Sequence, residues 1–79
     1  MTPITWTGDL NDDCTAEWEG LVLRAERMVN AAWWWEVTDG GEVVDGSNER
    51  GMTPTTGPAA RVTAEAAARA YRAGIEVDE

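Results

Sequence analysis

Trp33-Trp34-Trp35-Glu36-Val37-Thr38-Asp39-Gly40-Gly41-Glu42-Val43-Val44 decides how this chain folds. Side chains alternate between the two sides of a β-strand, so adjacent tryptophans cannot share a face. Trp33, Trp35 and Val37 fall on one side, the natural core side. Trp34 and Glu36 fall on the other. Gly40-Gly41 can take the positive φ angles of a two-residue primed turn, which makes a hairpin with Val43 and Val44 in the returning strand. Trp34 is then left on a side that also carries charge, where it needs a second cover or a partner.

A two-stranded hairpin is marginal in water, so the ribbon calls for a third strand beside it. Residues 15–32 admit two readings. Trp18, Leu21, Val22, Ala25, Met28, Val29 and Ala32 fit one helical face, with Asp13 or Thr15 as its cap. Gly20 inside that span costs about 1 kcal/mol relative to alanine, and Leu23 falls off the face. As a strand, Leu21, Leu23 and Ala25 share one side, and Val22, Arg24 and Glu26 the other. The hairpin's need for a neighbour favours a strand at residues 21–27, with residues 28–32 as the connection. Residues 1–8 read as a short first strand in which Ile4 and Trp6 alternate with Thr5 and Thr7, ended by Gly8. Residues 9–13 read as a polar connection, and residues 46–57 as a long loop.

Residues 58–73 carry the clearest helix signal. Alanine dominates, Thr56 can cap, Pro58 suits the first turn and Gly74 follows as the stop. Ala59, Val62, Ala66, Ala70 and Ala73 form a smooth face. Arg61, Glu65, Arg69 and Arg72 lie opposite, at salt-bridge spacing. A helix with a small-residue face can lie close on a sheet whose own side chains are bulky. The expected fold is therefore α+β: an antiparallel β-meander of three to four strands with one C-terminal helix packed on one face. The 79 residues hold a single domain, and the acidic tail 75–79 is expected to be flexible.

The composition removes many functions. The chain carries no histidine, no lysine and one cysteine, Cys14. An intramolecular disulfide and His-based zinc or acid–base chemistry are thereby excluded. Cys14 is flanked by acids, which suppress a thiolate. Asp9-x-Asn11-x-Asp13 matches the opening of a calcium loop, but Cys14 stands where the turn glycine belongs and Gly20 where the closing glutamate belongs. No metal site and no cofactor are expected. The chain also lacks a phosphate-cradling glycine loop, and no stretch approaches the length of a membrane span. The start resembles no signal peptide, so the expected location is cytoplasmic.

The net charge is −9 and unevenly placed. Residues 1–50 carry eleven acids against Arg24, Arg27 and Arg50, whereas the helix segment is net basic. That balance opposes direct binding of nucleic-acid phosphates and favours a basic partner. Tryptophan is enriched at interface hot spots. The candidate partner-binding residues are therefore Trp34, Trp18, Val22 and Glu36, with Glu26 as further rim. The candidate acidic surface is Asp9, Asp12, Asp13, Glu17 and Glu19.

The pattern Trp-x-Trp-x-Val, then Gly-Gly-x-Val-Val, a polar loop and an Ala/Glu/Arg helix resembles small uncharacterised proteins of phages and prophages in GC-rich bacteria. The resemblance covers about residues 33–73 and implies no activity for any residue. The expected function is non-enzymatic: a small acidic, phage-encoded protein-protein interaction module that binds an unknown protein or forms a homodimer through the tryptophan-bearing sheet face. The alternative is an inhibitor that imitates nucleic acid and occupies the groove of a basic DNA- or RNA-binding protein.

Overall fold

A computed structural model describes residues 3–28, 32–47 and 56–74. Five antiparallel strands follow one another in sequence order: β1 (Thr7–Asp9), β2 (Asp13–Trp18), β3 (Leu21–Arg27), β4 (Trp33–Asp39) and β5 (Glu42–Gly46). The helix α1 (Gly57–Ala73) follows and lies across one face, over β3 and β4. The fold is α+β, with one more strand than the sequence reading allows. The long loop expected at 46–57 and the tail 75–79 fall largely or wholly outside the described residues.

The sheet is built by turn chemistry. Glu19 and Gly20 both have positive φ (54° and 82°), as do Gly40 and Gly41 (62° and 89°), so each pair makes a tight primed turn matching the strand twist. These turns fix the register: Trp18 sits opposite Leu21, and Asp39 opposite Glu42. The β3–β4 ladder pairs Leu23 with Val37 and Ala25 with Trp35. A register shift between Val37 and Thr38 places Val44 as an extra residue in β5. Where β5 ends, the Ser47 hydroxyl accepts from the Trp35 N–H (3.2 Å) and donates to the Trp35 carbonyl (3.3 Å).

Two strands differ from expectation. Residues 13–18 form β2, with Cys14, Ala16 and Trp18 buried and Thr15 and Glu17 exposed. The first strand is shorter and later than residues 1–8. Gly8 lies inside it, opposite Cys14, and Ile4 and Trp6 pack on the core from an irregular segment.

The core lies between the sheet and α1. Leu21, Leu23, Trp35 and Val37 are fully enclosed, with Trp33 and Trp18 beside them. Each such side chain contributes roughly 1.5–3 kcal/mol of transfer free energy. The helix meets them with Gly57, Ala60, Ala64, Ala67 and Ala68. The smooth face expected from Ala59, Val62, Ala66, Ala70 and Ala73 is instead the outer side, with Val62 65% exposed. The helix is turned by roughly 150° about its axis from that expectation. The physical reason is volume: the indoles fill the gap, so only the smallest side chains fit beneath them. At Gly57 the approach is closest, since a Cβ there would lie 2.8 Å from Cζ2 of Trp33.

Polar contacts tie the helix at both ends. Thr56 accepts the Ala59 N–H as N-cap, and Gly74 closes the C-terminus with a φ of 70°. Arg61 donates to the Leu10 carbonyl (2.9 Å) in the β1–β2 turn. The Trp6 indole N–H donates to Glu65 (2.7 Å). At the far end Arg72 donates to the Glu19 carbonyl (2.9 Å) and the Tyr71 hydroxyl to Asp39 (2.9 Å), so both primed turns are held.

Candidate functional site: the open sheet face

The face opposite α1 has no cover among the described residues. Strand alternation puts Thr15 and Glu17 of β2, Val22, Arg24 and Glu26 of β3, Trp34, Glu36 and Thr38 of β4, and Val43 of β5 on it. Asp9 of β1 lies opposite Asp13, which lies opposite Glu26, which lies opposite Trp34, so these form one cross-strand row. The middle row runs from Thr15 through Arg24 to Glu36. The third row runs from Glu17 through Val22 and Thr38 to Val43.

Carboxylates and apolar side chains alternate across these rows. Half-buried Trp34 shares its row with Asp9, Asp13 and Glu26, and Val22 (40% exposed) and Val43 (46% exposed) share theirs with Glu17. Arg24 stands between the two rows, beside Glu36. Its Nη2 lies 3.3 Å from Asp13 Oδ2 and 3.8 Å from Glu26 Oε1, and its guanidinium carbon lies 5.9 Å from the centre of the Trp34 ring. The hydrogen bond that Arg24 donates to Asp13 raises the Arg24 pKa first, the Asp13 charge second, and Glu26 and Glu36 add to the effect. Ion pairs this exposed contribute about 0–1 kcal/mol, so their value is in orienting the groups rather than in holding the fold.

Of the sequence-assigned binding residues, Val22, Trp34 and Glu36 come together on this face. Trp18 does not join them. It is 8% exposed, points towards α1 and has the Arg69 guanidinium 5.6 Å from its ring centre. The alternation of β2 sends it there with Cys14 and Ala16. Arg24, Thr38 and Val43 complete the face and were not singled out by the sequence. The two-residue turn held the signal for Val43, because it sets Thr38 opposite Val43 and hence on the same side.

The acidic set is divided as well. Asp9, Asp13 and Glu17 share the open face, while Asp12 and Glu19 sit in turns at opposite ends of β2. Asp9 accepts the Asn11 N–H (2.9 Å), and the Asp12 N–H donates to the Asp9 carbonyl (3.0 Å). The calcium-like spacing is thus the turn that closes the β1–β2 hairpin, and among the described residues no group of three or more acidic, Cys or His side chains is placed to hold a metal ion. The β2–β3 turn walls a shallow depression of about 450 Å³ lined by Glu17, Trp18, Glu19, Gly20, Leu21 and Val22.

Cys14 is buried and its thiol donates to the Ala25 carbonyl (3.7 Å). Burial is the main cause that pushes its pKa above the ordinary value of 9.0, and Asp13 and Asp9 add less, against an opposing effect of Arg61. The sequence reading had the direction but assigned it to the neighbouring acids alone. Among the described residues no helix is long and apolar enough to cross a membrane. No family model, curated protein or solved structure matches the chain.

Proposed function

We propose that this chain is a small acidic protein-interaction module, non-enzymatic and phage-encoded, that works in the cytoplasm and binds a partner protein through its open sheet face. One observation carries the reading: among the described residues the sheet is covered by a helix on one side only, and the other side presents Trp34, Val22 and Val43 next to carboxylates. Val22 and Val43 share one cross-strand row and Trp34 lies in another, with Arg24 and Glu36 between them, so the face offers two exposed apolar points set among charges. Tryptophan and arginine together, as in Trp34 and Arg24, are the residue types that most often anchor such sites.

Mimicry of nucleic acid is the less supported reading. It needs a regular array of charge, whereas the five proposed acids are split between one face and two distant turns. A homodimer through this face sets carboxylates against carboxylates, which opposes close approach.

A photo-reactive amino acid placed at Val43 tests the reading in cells of the natural source, with the same group at Val62 on the outer side of α1 as comparison. A discrete adduct from Val43, lost in Trp34→Ala and missing from Val62, is the expected result. Adducts from Val62 alone would contradict it.

A further inference from the structure

The open face also carries information about what covers it. We infer that its occupant is a short basic amphipathic helix from another protein, laid over β3 and β4 with its apolar side on Trp34, Val22 and Val43 and its cationic side towards Asp9, Asp13 and Glu17. The inference rests on the interaction reading above and gives the partner its chemistry.

Three observations lead to it. The first is size. Strand spacing and rise make the face about 19 Å across and about 13 Å along the strands. A helix about 10–12 Å in diameter laid along it covers about two strand spacings. The second is charge. Among the described residues, Asp9, Asp13, Glu17, Glu26 and Glu36 share the face with one cation, Arg24. A second copy would bring the same excess of carboxylates, and an acidic segment would be repelled; a basic one is complementary. The third is spacing. Trp34 and the row of Val22 and Val43 lie four residues apart along the strands, about 13 Å, close to the advance of two helical turns, so apolar side chains two turns apart on one helix reach both. Arg24 shows within the chain itself that a guanidinium can rest against Trp34 while paired with carboxylates of the face.

The experiment is a titration of the full chain, labelled for amide and indole NMR signals, with three synthetic helical peptides of about 14 residues. One carries leucines at i, i+3, i+4 and i+7 with arginines elsewhere. The second is the same composition scrambled. The third keeps the leucines and replaces arginine by glutamine. The patterned basic peptide is expected to shift Val22, Arg24, Trp34 and Val43. It should bind at least about tenfold more tightly than the scrambled one, and lose roughly tenfold in Trp34→Ala. Glu17→Gln combined with Glu26→Gln, which leaves the core untouched, should weaken binding severalfold and flatten its salt dependence.

Equal binding of the scrambled peptide, or no binding of the patterned one, overturns the proposed occupant. Tight binding of the glutamine peptide at the same residues overturns the basic assignment and leaves the binding face standing. Shifts confined to α1 or the sheet edges, sparing Trp34, overturn the face itself.

Discussion

The two sides of one sheet are built from neighbouring residues of the same strands, yet they solve opposite problems. The closed side puts Trp33, Trp35 and Val37 under a helix that offers little besides alanine. Large sheet side chains and small helix side chains interlock. The open side puts Trp34 one residue away from both buried indoles, but beside Arg24 and Glu36. Neighbours in sequence thus differ in surroundings because a strand sends each successive residue to the opposite face. The closed side supplies stability, and the open side carries the proposed binding surface.

The sharpest way to break this contrast is a pair of truncations. Trp35→Ala should cost about 3–5 kcal/mol or unfold the chain outright, because a fully enclosed indole leaves a cavity. Trp34→Ala should cost only about 1–2 kcal/mol, the loss of partial burial and of the Arg24 contact. Urea denaturation of both variants measures the gap, and equal losses would erase the distinction.

A second change probes how tightly the closed side is fitted. Glycine to alanine at a helix position normally gains up to about 1 kcal/mol. At Gly57 the added methyl meets the rigid Trp33 ring at 2.8 Å. Gly57→Ala should therefore destabilise by about 1–3 kcal/mol, the usual range for overpacking. A stabilised variant would show that helix and sheet are not in close contact there.

These tests also locate what the sequence could and could not reveal. The alternation of Trp33, Trp34 and Trp35 was legible because period-two patterning of large side chains is unambiguous, and Gly40-Gly41 fixed the turn. Strand β2 was not, because Cys14 and Ala16 are small and sit among acids, so their alternation with Thr15 and Glu17 carries little hydrophobic contrast. The wrong helix face has the same origin. In an alanine-rich helix the apolar pattern is nearly uniform, and Val62, the one large aliphatic side chain, marked the side that proves exposed. The buried side is chosen by the available volume over Trp33, which is a property of the partner surface. Trp18 was counted among the binding residues for want of β2, and the register of that strand places it in the core.

A smaller effect concerns the rim of the closed side at high pH. The hydrogen bond to Asp39 raises the Tyr71 pKa above its ordinary value of 10.0, with desolvation and the Asp39 charge adding to it. The folded state therefore holds this proton more tightly than the unfolded one. The associated stability is fully present below the unfolded value and is lost as pH rises through the higher folded value. Tyr71→Phe should flatten the alkaline decline in stability, measured by thermal melts across that range with Cys14 retained in both proteins. An unchanged decline would show that the contact is not formed.

The contrast between the faces can be read one indole at a time. With all five tryptophans replaced by fluorotryptophan, a soluble paramagnetic agent broadens each fluorine signal according to its access to solvent. Strong broadening at Trp34, with Trp33 and Trp35 nearly untouched, is what an uncovered sheet face predicts. Protection of Trp34 equal to that of Trp35 in the isolated chain would mean that the second face is already closed, and no surface would remain there for a partner.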